Sequence, residues 1–281
     1  MPGEESDALG DALTGLGAMA VTMENGGADE FYEAAYPQRP DWPEIDVTGL
    51  FEGSVDAEGV ANAIRSTFAG CTSHDIDRLE ERDWERSWLD GFEPIQAGRD
   101  LWVVPSWLEP PVETAVNIIV DPGLAFGTGT HPTTGLCLSW LDRNRPAGAD
   151  VIDFGCGSGI LAVAALKLGA SRAWGIDVDP RALVASRENA ARNGVTDRYA
   201  ACTLDTLPEG VCATLLMANI LARVLIDLRE DLQSLVCSSG VILLTGILRD
   251  QVEQVRCQFE TWFEFSEERR EEWSLLVGVR R

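Results

Sequence analysis

The stretch that decides the fold reads Val151-Ile152-Asp153-Phe154-Gly155-Cys156-Gly157-Ser158-Gly159-Ile160-Leu161-Ala162-Val163-Ala164-Ala165-Leu166-Lys167-Leu168. A short apolar run ends in a turn with glycine at alternate positions, and an apolar helix follows. Strand, glycine turn and helix N-terminus in that order open a doubly wound α/β sheet. Glycine lacks a Cβ and tolerates positive φ, so such a turn lets a ligand approach the backbone closely. A second strand, Ala173-Trp174-Gly175-Ile176-Asp177, ends in a carboxylate about 20 residues beyond the turn, where an acid can accept hydrogen bonds from ribose hydroxyls.

By themselves these residues fit two ligands, a nicotinamide dinucleotide and an adenosyl sulfonium. Gly157-x-Gly159-x-x-Ala162 satisfies the loose dinucleotide fingerprint. Two details tilt the balance to the sulfonium. Asp153 lies just before the first glycine, where a carboxylate repels a pyrophosphate but helps hold the ammonium of an amino acid. The glycines that follow it, Gly155, Gly157 and Gly159, are spaced G-x-G-x-G. Further on, the apolar run 213–218 ends at Asn219, which puts Asn219 at the carboxyl edge of the sheet, where open α/β folds bind ligands. Its amide oxygen can accept a hydrogen bond from a neutral amine. Capping a helix from Ala222 is the plainer role for it. Upstream, Gly123, Gly127 and Gly129 flank Phe126 in what reads as a mobile loop.

Asp153 to Gly159, together with Gly175-Ile176-Asp177, resembles the first two motifs of class I S-adenosylmethionine-dependent methyltransferases. The likeness sharpens with Asp121-Pro122-Gly123-Leu124-Ala125-Phe126-Gly127-Thr128-Gly129-Thr130-His131-Pro132-Thr133-Thr134, with Asn219-Ile220-Leu221 and with Leu244-Thr245-Gly246-Ile247-Leu248. These strings, and Asp83-Trp84-Glu85-Arg86-Ser87-Trp88, resemble the family of methyltransferases of large-subunit ribosomal protein eleven. The resemblance is strong over residues 77–281 and weaker before them.

That resemblance implies a doubly wound, Rossmann-like sheet of seven strands with a small N-terminal ferredoxin-like α+β domain for substrate recognition. It implies S-adenosylmethionine as cofactor, contacted by Thr134, Gly155, Asp177 and Asn219, under a flexible lid of Phe126, Gly127, Thr128, Gly129 and Thr130. Asp153 and Gly157 join the cofactor set, and Asn219 is the expected catalytic residue. The implied reaction methylates lysine side chains and the α-amine of the basic ribosomal protein, by attack of a neutral amine on the sulfonium methyl group. Asn219-Ile220-Leu221 departs from the Asn-Pro-Pro-Tyr string of related amine methyltransferases, lacking its prolines and aromatic, which argues against a base-flipping DNA enzyme. Methylation of another protein or a small amine, a nicotinamide oxidoreductase and a non-catalytic binding module are the competing readings.

The 281 residues favour two domains, divided here as 1–76 (small α+β domain), 77–110 (linker helix and connector) and 111–281 (catalytic domain). In the first, 4–16 and 55–68 read as helices, and 18–22 and 47–51 as strands. The family's small domain opens with a strand, whereas this chain starts almost directly at a helix, so a missing strand or poor ordering is expected. Trp84, Trp88 and Leu89 share one face of the linker helix and suit packing between domains.

The formal charge of −24, from 22 basic and 46 acidic side chains, repels nucleic acid, so no direct nucleic-acid binding is expected. It attracts a basic protein, though solubility in a salty cytoplasm explains it equally well. Lys167 is the single lysine. No apolar run reaches the roughly 20 residues that span a bilayer, and the first residues are acidic where an export signal is basic. A cytoplasmic monomer without membrane contact is expected. Seven cysteines stand singly without a CxxC pair, which argues against a metal and against a disulfide framework and favours reduced thiols. His131 either orients a ligand or packs in its loop, and His74 reads as structural.

Overall fold

The structure is a computed structural model that describes residues 3–25, 45–68, 71, 75–78, 92–121 and 129–281. The chain divides into two compact units, Met1–Leu89 and Asp90–Arg281.

Four elements are described in the first unit: helix α1 (Gly3–Gly15), strands β1 (Ala20–Asn25) and β2 (Ile45–Leu50), and helix α2 (Ala57–Thr67). The strands pair antiparallel, from Ala20 opposite Leu50 to Asn25 opposite Ile45. Leu9 and Leu13, four apart on α1, meet Ile64 of α2 in a small core. Asp56 caps α2 by accepting a hydrogen bond from the Gly59 amide at 3.1 Å. Among the described residues a helix comes first, with no strand ahead of it. The linker helix expected over 77–92 lies largely outside the described residues, as do Trp84, Trp88 and Leu89.

The second unit opens on a three-stranded sheet, β3 (Ile95–Gln96), β4 (Leu101–Val104) and β5 (Val116–Ile119), with β4 and β5 parallel. Its first two strands fall in the stretch the sequence reading assigns to linker and connector. Helix α3 (Pro132–Arg143) leads into the main sheet. That sheet is built from β6 (Asp150–Phe154), β7 (Arg172–Ile176), β8 (Tyr199–Cys202), β9 (Ala213–Asn219), β10 (Val236–Leu248), β11 (Phe263–Arg270) and β12 (Trp273–Arg280). Its order is β11-β12-β10-β9-β6-β7-β8; β12 runs antiparallel to both its neighbours, and the other six strands share one direction. Helices α4 (Ile160–Lys167), α5 (Pro180–Arg192), α6 (Ala222–Asp227), α7 (Arg229–Ser234) and α8 (Val252–Phe259) complete the fold.

The sheet carries one apolar cluster on each face, because alternate residues of a strand point to opposite sides. Val151, Leu215, Met217 and Leu243 pack with α4, while Ile152, Leu216, Ile242 and Leu244 pack with α6, α7 and α8. Helix α4 is apolar all round and buried from Ile160 to Leu166, as a central helix must be. The chain runs from β6 outward through β7 to β8, then returns to β9 on the other side of β6. Loops leaving β6 and β9 therefore diverge and open a crevice at their carboxyl ends.

Cysteine pairing departs from the sequence reading. Cys212 and Cys237 form a disulfide, with Cα atoms 5.2 Å apart. They flank the β9–β10 ladder where Ala213 pairs with Val236, so parallel registry brings together two residues distant in sequence. No spacing rule for short motifs reports such a contact.

Candidate active site

The crevice is built from the strand–turn–helix quoted first. Gly155, Gly157 and Gly159 all take positive φ (70°, 51° and 76°), which lets the chain leave β6 and enter α4 within five residues. Gly155 is the most constrained: a Cβ there would run into Cγ2 of Ile220 from the β9 loop. The amides of Gly155 and Cys156 both donate to the Ile176 carbonyl, at 2.8 and 3.0 Å, and tie the turn to β7. Asp177 then locks it. Its Oδ2 accepts from the Gly157 amide at 2.9 Å and its Oδ1 from the Asp179 amide at 2.9 Å. The carboxylate keeps further lone pairs for ribose hydroxyls.

Asp153 is 1% exposed, and its Oδ2 accepts from the Ala162 amide at 3.0 Å in the first turn of α4. Burial pushes its pKa up to about 7; the Ala162 hydrogen bond opposes this and the Asp177 charge adds to it. A carboxyl balanced near neutrality gains most from a nearby cation. It thus suits an amino acid's ammonium while also holding the helix start.

Asn219 ends β9, paired with Thr245 of β10. Its Nδ2 donates to the Thr134 hydroxyl oxygen at 3.3 Å. The N-cap of α6 is Leu221 and no side chain caps that helix, so Asn219 does not serve as a cap. With Nδ2 engaged, Oδ1 is the group left to accept from a substrate N–H. Thr134 is fully buried in the first turn of α3, a position set by His131. His131 is the N-cap of that helix: Nδ1 lies 2.7 Å from the Thr133 hydroxyl and accepts from the Thr133 amide at 3.3 Å. Its ring packs edge-on to Trp273, 4.9 Å between centroids. Burial lowers its basicity, against the opposing charges of Glu271 and Glu272.

Thr134, Asp153, Gly155, Gly157, Asp177 and Asn219 all line one cavity of about 360 Å³. Gly129 (φ 92°) stands beside Val103 and Ile160. Phe126, Gly127 and Thr128, with the rest of the expected lid up to residue 128, lie outside the described residues, as does His74. Sequence reasoning missed the apolar wall. Ile176, Val178, Leu204, Val224 and Leu228 also line the cavity, and Val178 is 92% exposed. Val178, directly after the acid at a strand end, was the one member of that wall the sequence could have signalled, since apolar walls hold flat aromatic rings.

The family model described as ribosomal protein L11 methyltransferase (PrmA) matches residues 1–281 of this chain. The chain belongs to the ribosomal protein L11 methyltransferase family. Among its relatives, the L11 methyltransferase of Shewanella amazonensis is 46% identical over 281 residues, covering 99% of this chain and 95% of the relative. That of Shewanella pealeana is 44% identical over 282 residues, covering 99% and 96%. A crystal structure of a ribosomal protein L11 methylase from Lactobacillus delbrueckii subsp. bulgaricus aligns with a TM-score of 0.62 at 34% identity, covering 68% of this chain and all of that one.

As a member of the L11 methyltransferase family this chain is an S-adenosylmethionine-dependent methyltransferase, and the nicotinamide and binding-module readings fall away. The cavity suits that cofactor. It offers an apolar wall for adenine, a carboxylate at the end of β7 for ribose, a glycine turn for close backbone approach, and a buried carboxyl for the ammonium.

Proposed function

We propose that this protein methylates the lysine side chains and the α-amine of large-subunit ribosomal protein L11. Support comes from family membership along the whole chain and from one feature of the site: the Asn219 amide, held by Thr134 with its oxygen left to accept, at the rim of the cofactor cavity. Bound S-adenosylmethionine supplies an electrophilic methyl group on a sulfonium. The residues of the chain bind, orient and desolvate. Asp177 and the glycine turn would hold the cofactor's ribose, Asp153 its amino group, and Val178, Leu204 and Val224 its base. Asn219 Oδ1 accepts an N–H of the incoming amine, which aims the nitrogen lone pair at the methyl carbon.

A lysine amine has a reference pKa near 10.4, so it must shed a proton before it can attack. Transfer into a largely apolar cavity disfavours the ammonium and promotes that loss. Once the neutral amine is in place, rate enhancement rests on positioning, because displacement at carbon needs neither a nucleophilic side chain nor a metal. The large negative charge favours encounter with a basic substrate and disfavours nucleic acid. Among the described residues no helix is long and apolar enough to cross a membrane. The reading is completed by a cytoplasmic monomer acting on L11 as its partner.

The test is Asn219→Ala, assayed with purified L11 and S-adenosylmethionine by mass spectrometry of the product. Cofactor binding measured by calorimetry should stay close to wild type while methylation falls by about 100-fold, the usual scale for losing one well-placed polar group. Full methylation by that variant would remove Asn219 from the mechanism.

A further inference from the structure

Strand β10 does not run regularly past the site. Leu244 pairs with Leu276 of β12, but the next pair is Ile247 with Ser274, so Thr245 and Gly246 together oppose Leu275. This is a β-bulge, and bulges next to active sites re-aim what lies beside them. On its other side the bulge borders the catalytic strand. Thr245 pairs with Asn219, and the Thr245 carbonyl accepts from the Ile220 amide at 3.2 Å. Gly246 takes φ 83°, and a Cβ there would lie 2.7 Å from the Ile220 carbonyl carbon, 3.2 Å from its nitrogen and closer still to its oxygen. All three are backbone atoms, so no side-chain rotation relieves the collision. The bulge is itself anchored: Thr245 is fully buried, and its hydroxyl donates to the Ser274 carbonyl at 2.9 Å. Across the crevice the Ile220 side chain presses on Gly155. The Ile220 peptide is thus held between the bulge and the cofactor turn, next to Asn219.

We propose that Gly246 is a positioning residue for methyl transfer: the bulge it makes with Thr245 sets the Ile220 peptide, and through it the placement of the Asn219 amide. The inference rests on the catalytic role proposed for Asn219. Any side chain at Gly246 must push the Ile220 peptide away, and a shift of a few tenths of an ångström at the adjacent amide spoils its aim at the reacting nitrogen. Asn219 stands at the rim of the cavity, whereas Asp177, Val178 and Leu204, which would grip the cofactor, belong to other elements. Turnover therefore suffers more than cofactor affinity.

The experiment compares Gly246→Ala, Gly246→Asn and Asn219→Ala in the full-length protein, measuring kcat with L11 and the S-adenosylmethionine Kd by calorimetry. Both Gly246 variants should lose at least about tenfold in kcat, while Kd changes by no more than about threefold. Asparagine tolerates positive φ far better than alanine. If collision with the peptide matters, as inferred, the two variants are equally impaired. Wild-type kcat in Gly246→Ala, or recovery in Gly246→Asn, overturns the inference while Asn219→Ala remains inactive. Full turnover by Asn219→Ala instead overturns the catalytic reading, and this inference with it. Should Gly246→Ala fail to fold, Thr245→Val, which removes only the anchor to Ser274, decides the matter: a kcat at the wild-type value refutes the proposal.

Discussion

Replacing Asp153 with asparagine isolates one buried carboxyl from everything else that titrates in this very acidic chain. Asp153 is 1% exposed, and burial moves its pKa from an ordinary 3.8 to about 7. Between about pH 4 and pH 7 the folded protein therefore retains a proton that the unfolded chain has released. Unfolding then releases a proton, so stability falls as pH rises through this window. The contribution is complete below about pH 4 and gone above about pH 7. At 1.36 kcal/mol per pH unit the whole span amounts to roughly 4 kcal/mol, an upper figure because the interior relaxes around a charge. Asparagine keeps a carbonyl oxygen for the Ala162 amide and carries no charge at any pH. The stability difference between Asp153→Asn and wild type should thus grow from near zero at about pH 4 to several kcal/mol in favour of the variant at about pH 8. Urea unfolding of the cofactor-free proteins across that range measures it, and taking the difference cancels the other acidic groups common to both. Cofactor affinity should move oppositely: wild type binds S-adenosylmethionine more tightly as Asp153 ionises, and the variant loses that dependence. A stability difference that does not vary with pH would refute the reasoning, since an unperturbed carboxyl titrates alike in both states.

Four shorter expectations follow from the same geometry. Gly155→Ala must accept φ 70° and displace Ile220, so S-adenosylmethionine binding read by calorimetry should weaken by about tenfold or more, at roughly 1–2 kcal/mol for the backbone alone. Asp177→Ala removes the acceptor for the Gly157 and Asp179 amides as well as for ribose; at about 1.5–3 kcal/mol per charged hydrogen bond, cofactor Kd should rise by at least tenfold. Reducing the Cys212–Cys237 disulfide, which spans 25 residues, should lower stability to urea by about 3–4 kcal/mol in the chain-entropy treatment, and an unchanged midpoint under reductant would contradict that. The apparent kcat/KM for L11 should fall as salt rises from about 50 to 500 mM if the charge of −24 steers the substrate, while cofactor Kd stays nearly constant.

The doubly wound fold was legible in the sequence because its signals are local. The run 151–154, the alternating glycines and the apolar helix from Ile160 each follow from the conformational preferences of a few neighbouring residues. Asp177 and Asn219 were legible for the same reason, as polar residues ending apolar strands. The small unit's two helices and two strands were readable to within about three residues at their ends, where boundaries are softest.

What the sequence could not decide are contacts between residues far apart along the chain. Asn219 and Thr134 lie 85 residues apart, and their hydrogen bond exists only once β9 and α3 are packed. His131 looked equally like a ligand group and a loop residue until its ring met Trp273. The valine and leucine wall of the cavity draws on β7, the turn after β8 and the helix after β9, so no single segment carries its pattern. The disulfide depends on parallel registry between β9 and β10, and the need for glycine at position 246 on the path of a neighbouring peptide. Local preferences choose the elements; registry and packing, which sum contacts over the whole sheet, choose which side chains face each other.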